Sequence, residues 1–369
     1  MLLKNYIKGY IRTNDKRNPL FVIDGITLSV IGDVHLGRVF RTGVPKHRLG
    51  EREQMIQNQF QDLLKRKADY CVIVGDLFDK VRVSNSCLNY CIDSIEQASK
   101  ENPNTKYIVL SGNHDMSKDT SRVSSFQLLE KYFLTNSSKF KNISIVSSYM
   151  EPIKATKNLL LYFSHYNPFM ALDEERPNFY KYKDMMYKVA FGHWEVSNFG
   201  GDHFIDRHIP KSILMNFDLV VTGHEHKPTL TSIDSVPIYV TGSMQPYAFS
   251  EEMHTERDLY LTTTVGELEK KLKKDKDSLK NTNVRILLDT DDTIPEPFEC
   301  LSLTYKNIGK VVVKQSEDKT VQINEDETKT FQHSFIELVE NFKEANTNHS
   351  DFLDNILSTF LDKTYKDSV

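Results

Sequence analysis

Aspartate, asparagine and histidine recur beside glycine at five places in this 369-residue chain: GDVH at 32–35, GDLFD at 75–79, GNHD at 112–115, GHW at 192–194 and GHEH at 223–226. Carboxylate, amide oxygen and imidazole are donors for divalent cations, and imidazole also suits proton transfer near neutral pH. Singly, each motif is weak. Asp-x-His is common, GNHD makes an ordinary turn, and a histidine in GHW is more often a satisfied core residue than a ligand. Together they resist a purely structural explanation, because burying so many ionisable groups without a cation is strongly unfavourable. The adjacent glycines let the backbone turn sharply and let a ligand come close.

Such chemistry needs a scaffold that brings all five motifs to one place. Each follows an apolar run: ITLSVIGD, YCVIVGDLFD, KYIVLSGNHD, VAFGHW and DLVVTGHEH. A sixth run, LLLYFSHY, ends near His165. These read as buried strands ending in polar turns. Residues 51–67 carry helical spacing through Met55, Ile56, Phe60, Leu63 and Leu64, and 85–100 also read as a helix. Strands alternating with helices predict a layered α/β sandwich, with sites gathered where strands end. From about residue 266 the character changes. GELEKKLKKDKDSLK reads as a charged helical linker, and NVRILLD, CLSLTYK, KVVVK and TVQI as short strands. Two amphipathic helices are predicted over 331–345 and 351–363.

Composition narrows the class. An AVILMFWYC content of 39% and an aromatic content of 11% support a real core, so disorder throughout is excluded. Cys71, Cys87, Cys91 and Cys300 have neither zinc-site nor disulfide spacing and read as reduced structural residues. No apolar run is long enough to span a membrane, and the N-terminus lacks the apolar block of a signal peptide, so a cytoplasmic protein with no membrane partner is expected. A net charge of −4 argues against binding nucleic acid by bulk electrostatics, but not against a local basic patch. Arg38, Arg41, Lys46, His47, Arg48 and Arg52 are the candidate patch, with a solvated loop as the bland alternative.

The motif series resembles the calcineurin-like metallophosphoesterases over roughly residues 26–250. Within them it looks like the SbcD nuclease family, and the GHWE stretch Gly192–Glu195 is similar to that of T4-type phage recombination nucleases. The resemblance implies a four-layer α/β/β/α sandwich over 26–265, and the N-terminal extension over 1–25, which reads as irregular or as a hairpin, has no counterpart in it. It also implies a linker and small capping domain over 266–330 and a helix–loop–helix over 331–369. It further implies two Mn²⁺ ions, with Mg²⁺, Fe or Zn as alternatives. Asp33, His35, Asp76 and His226 would hold one, and Asp76, Asn113, His193 and His224 the other. Two such ions clamp a phosphate and activate a water. His114 would contact the phosphate or protonate the leaving oxygen, with Asp115 orienting it. Asp79 and His165 are expected in supporting or DNA-contacting roles, as are Arg38 and Arg41. Trp194 reads as core packing before base stacking, and His203 and His208 as surface.

SbcD-like nucleases work on DNA with an SMC-like, SbcC-type ATPase, and relatives form homodimers through helices near the first motifs. Phe331, Phe335, Phe342, Phe352 and Phe360 give the tail the aromatic anchors for docking on a coiled coil, or equally a face for packing on its own small domain. Three alternatives stand beside the nuclease: a phosphodiesterase for small nucleotide substrates, a protein phosphatase, and a metal-free scaffold. GDLFDK and GNHD depart from the phosphatase patterns GDxxDRG and GNHE, and the intact ligand series disfavours the scaffold. Deleting residues 331–369 is expected to spare metal binding and to abolish co-purification with the ATPase subunit; undiminished association would rule out the tail as its dock.

Overall fold

The apolar runs that precede the first three motifs form neighbouring parallel strands. The structure is a computed structural model and describes residues 16–119, 121–166, 179–196, 214–251, 259–289, 292–293 and 295–308. Strands β1 (Leu20–Ile23), β2 (Ile26–Ile31), β3 (Tyr70–Val74), β4 (Lys106–Leu110) and β5 (Ile143–Val146) make one sheet in that order. β2 to β5 are parallel, while β1 pairs antiparallel with β2. The second sheet contains β6 (Ile153–Lys154), β7 (Leu159–Phe163), β8 (Tyr187–Gly192), β9 (Leu219–Thr222), β10 (Thr229–Ile233) and β11 (Val236–Val240), ordered β10-β11-β9-β8-β7-β6. Its central four strands are parallel and its two edges antiparallel.

Alternation along the strands divides the core into layers. Leu28, Val30, Val72, Val74, Ile108 and Leu110 of the first sheet pack against Leu159, Leu161, Phe163, Val189, Phe191 and Val221 of the second. The opposite face of the first sheet offers Ile31, Ile73 and Val109 to helices α1 (Glu51–Leu64), α2 (Asn85–Glu101) and α3 (Ser125–Thr135). Ile56, Phe60, Leu63 and Leu64, the spacing that predicted α1, face this sheet. Ser84 caps α2, and a Ser124–Gln127 capping box starts α3. The outer face of the second sheet is covered by Phe179, Trp194, Leu214 and Phe217. The chain is thus an α/β sandwich built around two facing sheets.

Three regions differ from the sequence expectation. Part of the expected N-terminal extension is strand β1, joined to β2 by Asp24 and Gly25 at φ 48° and 79°. Two successive positive φ values match the twist of a two-residue hairpin. The expected linker after 265 is helix α4 (Val265–Lys274), the crossover between β12 (Tyr260–Thr264) and β13 (Asn283–Leu288). β13 pairs parallel with β14 (Ser302–Asn307), giving a small sheet that begins ahead of the expected boundary. The charged composition of α4 reflects one buried face, Val265 and Leu268, with its lysines outward.

The basic run is the third difference. Arg48 and Arg52 are only 5% and 3% exposed, so they do not belong to a surface patch. Arg48 grips Glu51 (Nη2–Oε2 2.6 Å) and the carbonyl of Lys280. Arg52 donates to Gln245 Oε1 and to the Pro246 carbonyl (2.7 Å), between the rings of Phe40 and Tyr260. These arginines fasten the small sheet to the sandwich. Arg41, Lys46 and His47 remain exposed. KVVVK, TVQI, the helices over 331–369 with their phenylalanines, and His203 and His208 lie outside the described residues. Arg52→Ala is expected to lower the unfolding free energy by on the order of 3 kcal/mol, because charged hydrogen bonds to buried acceptors are lost. Arg41→Ala should leave the urea midpoint where it is. Equal effects on the two midpoints would refute this division of the basic run.

Candidate metal centre

The five motifs meet because the C-terminal ends of β2, β3 and β4 face those of β8 and β9. Two backbone ladders lock the meeting point. Asp33 bridges to Ser243, with Met244 N donating to the Asp33 carbonyl at 2.8 Å. Val34 N and His35 N both donate to the Asp76 carbonyl at 3.0 Å. His35, Asp76 and His224 sit at φ 50°, 47° and 79°, backbone that L-residues adopt only under strain. Two glycines make room for this. A Cβ on Gly75, itself at φ 101°, would fall on the His193 ring, and one on Gly223 would fall on the Asp33 carboxylate.

The candidate ligand atoms form two groups. In the first, His35 Nε2 and His226 Nε2 lie 3.0 Å apart, with Asp33 Oδ2 3.7 Å from His226 Nε2 and Asp76 Oδ2 3.8 Å from His35 Nε2. In the second, Asn113 Oδ1 lies 2.9 Å from His193 Nε2 and 2.8 Å from His224 Nδ1, and Asp76 Oδ1 lies 3.4 Å from His193 Nε2. Metal–ligand bonds of about 2.0–2.2 Å put neighbouring donors roughly 2.8–3.6 Å apart; the second group has that spacing, and the first, at 3.0–3.8 Å, is slightly wider. Asp76 turns one oxygen to each group. Asp33 also lies 3.8 Å from His193 Nδ1, but that nitrogen donates to the Val74 carbonyl at 2.9 Å. Nε2 is therefore the ligand atom, and His193 belongs with Asn113.

The protonation preferences conflict, as expected for a shell built around cations. Burial, with the charge of Asp76, pushes the Asp33 carboxyl up to about 7. Burial also opposes ionisation of Asp76, yet His193, His35 and His114 outweigh it and hold Asp76 below the usual carboxylate range. Burial drives the His35 imidazole down to about 3. Burial would lower His193 too, but Asp76 and Asp33 raise it to about 9. Divalent charge between the carboxylates would stabilise both as anions and the imidazoles as neutral donors. The residues fit a two-ion centre.

His114 lies beside the second group. Its N–H donates to Asp76 Oδ1 at 2.8 Å, and its ring Nδ1 donates to the Asp79 carbonyl, also at 2.8 Å. A carbonyl only accepts, so Nδ1 carries the proton and Nε2 is the free nitrogen. The expected Asp115–His114 contact is replaced by this one. Asp115 instead accepts from Gly112 N (2.8 Å), Phe78 N (2.9 Å) and Leu77 N (3.1 Å), pinning the second motif to the third. Burial and Asp76 push its carboxyl up to about 8. Asp79 takes a supporting position, its carboxylate 3.5 Å from His35 Nδ1 and 3.4 Å from Arg38. An open cleft of about 490 Å³ lies alongside, lined by Asp79, Lys80, Val81, Asn113 and His114.

Other candidates fall around this centre. Arg38 is half-buried against the Tyr247 ring (5.1 Å), and Arg41 is exposed. His165 follows β7, half-buried, with its imidazole pushed down to about 4 by burial; it stands outside the two groups. Trp194 is core, its indole filling the space beside Gly192. Three nearby residues carried no sequence signal. Tyr247 packs edge-on to His35 (5.5 Å) and bonds the Val34 carbonyl, Glu251 touches His226, and Arg17 is buried beneath them. None lies in a motif.

The sequence profile of the calcineurin-like phosphoesterases matches residues 26–228, more than half of the chain. The chain belongs to the calcineurin-like phosphoesterase family. Its members are metal-dependent phosphoester hydrolases, consistent with the Asp/His groups found here. No curated protein matches the chain. Among solved structures it is similar to phosphopantetheinyl hydrolase from Mycobacterium tuberculosis, at 13% identity and a TM-score of 0.34, over 60% of this chain and 93% of that one. No helix among the described residues is long and apolar enough to cross a membrane. Adding Mn²⁺ to the metal-stripped phosphoesterase is expected to raise its melting temperature, each ion stabilising by about 2.7 kcal/mol at a hundredfold excess over Kd. Gly223→Ala should reduce the shift by displacing Asp33 from the first group. A melting temperature of the unaltered chain that ignores Mn²⁺ would refute the two groups as ligands.

Proposed function

We propose that this phosphoesterase is a metal-dependent DNA nuclease, hydrolysing phosphodiesters in recombination, repair or replication. The observation that carries hydrolysis is the pair of ligand groups sharing Asp76, with His114 held beside them and its Nε2 free. Two divalent ions held there would supply Lewis-acid polarisation of the phosphate and activation of a water nucleophile. The protein's own part is positional. Asp33 and Asp76 set the spacing of the groups, and the Asp79 carbonyl fixes the His114 tautomer. When protonated, His114 Nε2 can donate to the departing oxygen, as a general acid must. Four imidazoles and three oxygen donors suit Mn²⁺, Fe or Zn better than Mg²⁺, which prefers oxygen and water.

DNA as the substrate is supported by the SbcD-like motif texture, including GHWE at 192–195, and by the openness of the cleft beside His114. The exposed Arg41, Lys46 and His47 are the cations of the 38–52 run left to meet a phosphate backbone. An SMC-like ATPase partner and a homodimer belong to the same proposal. The second reading, a phosphodiesterase for small nucleotides, uses the same centre and is favoured by the loss of Arg48 and Arg52 from the surface.

End-labelled linear DNA incubated with the purified chain should be degraded with Mn²⁺ and more slowly with Mg²⁺. His114→Ala should keep its metal and lose about 10²–10⁴-fold in rate. Hydrolysis of bis-p-nitrophenyl phosphate with DNA untouched, both alone and with the ATPase subunit, would favour the small-substrate reading. Loss of metal in His114→Ala would place it among the ligands.

A further inference from the structure

The two ligand groups are supported differently. In the second, His193 Nδ1 meets a main-chain carbonyl, that of Val74. In the first, His226 Nδ1 lies 2.9 Å from a carboxylate oxygen, Glu251 Oε1. An ionised carboxylate only accepts, so this contact places the proton on Nδ1 and leaves the Nε2 lone pair facing His35 and Asp33. Carboxylate partners of this kind fix the ring of a ligating histidine and raise its basicity.

Glu251 is itself held. Its Oε2 accepts from Tyr247 N (2.8 Å) and lies 3.4 Å from Ser243 Oγ. The Arg17 guanidinium, 2% exposed, ties the two loops together from beneath. Nη1 donates to the carbonyls of His226 (2.8 Å) and Ser243 (3.2 Å) and to Ser243 Oγ (3.1 Å), and Nη2 donates to the Glu251 carbonyl. Arg17 comes from the segment before β1, to which the motifs assign no role. A buried guanidinium on four oxygens of the loops that carry His226 and Glu251 is a costly arrangement unless their relative position matters.

We propose that Glu251 is a positioning residue for the Asp33–His35–His226 group, held in place by Arg17, and that the pair sets the metal affinity of that group alone. This rests on the two-ion reading of the centre. Removing Glu251 frees the imidazole to carry its proton on Nε2, where it blocks the lone pair needed for a ligand. The Asn113–His193–His224 group is supported from the Val74 carbonyl and the shared Asp76, and keeps its affinity.

The test is calorimetric titration of the metal-stripped full chain with MnCl₂, with ¹⁵N NMR of the histidine side chains. The unaltered chain should take up two ions. Glu251→Ala should bind one ion as before and the other about 10–100-fold more weakly, with His226 losing its Nδ1–H signature. Glu251→Gln retains an acceptor for Nδ1–H but not the charge, so it should show a smaller loss at the same ion. Arg17→Met should weaken that ion too. Should Glu251→Ala fail to fold, Glu251→Gln and Arg17→Met carry the test. Native affinity for both ions in all folded variants, or equal weakening of both, overturns the proposal. Failure of the unaltered chain to bind Mn²⁺ would instead strike the two-ion reading.

Discussion

Asp33 and Asp76 lie side by side at the buried junction of two sheets, where two ionised carboxylates need positive charge supplied from outside the apolar core. Much of the local structure answers that need. Main-chain N–H groups of His224 and His114 point at the two carboxylates, and four imidazoles surround them. The ligands sit at or just beyond the ends of parallel strands that are cored on both faces, so sheet packing brings them together, and His226, farther out on its loop, needs further support. Positive φ at His35, Asp76 and His224 costs about 1–3 kcal/mol each. Such strain persists only where the surroundings over-determine it, as the ladders between the first, second and last motifs do.

A second regularity concerns the nitrogens that face away from the ligand groups. His193 uses Nδ1 on the Val74 carbonyl, His226 on Glu251, and His114 on the Asp79 carbonyl, while His35 Nδ1 approaches the Asp79 carboxylate. The first three contacts select a tautomer and aim the opposite nitrogen inward. Asp79 serves two of these rings at once, its main chain on one and its side chain near the other. That explains an acidic residue three positions after the shared carboxylate better than a helix-terminal role does, since α2 starts only at Asn85.

The centre was legible in the sequence because its residues sit beside glycines at strand ends, and because ligand chemistry restricts the residue types. The first-sheet strands and α1 and α2 were legible from apolar runs and helical spacing. What escaped depends on distance in the chain. Arg17, Tyr247 and Glu251 act through partners brought together only by the fold, and no spacing marks them. The burial of Arg48 and Arg52 within the 38–52 run is not marked in the sequence, because charge alone does not say whether a guanidinium faces water or a ring of carbonyls. The Asp24–Gly25 hairpin was visible in principle, as Asp-Gly between apolar runs signals such a turn.

The loop that leaves the first motif links the centre to the small sheet. Arg38 packs on the Tyr247 ring and pairs with Asp79; Phe40 lies 5.9 Å from the Arg38 guanidinium and 5.2 Å from that of Arg52. Arg52 in turn covers Tyr260 of β12 at 5.8 Å. Leu303 N of β14 donates to the Gly43 carbonyl at 2.9 Å, and Gly43 has φ 70° and no room for a Cβ. Alternating cations and rings therefore run from the edge of His35 to the small sheet. A displacement of β12 would have to carry Arg52 and Phe40 with it, and through Arg38 the carboxylate that faces His35. On that geometry the small sheet is part of the support of the metal centre.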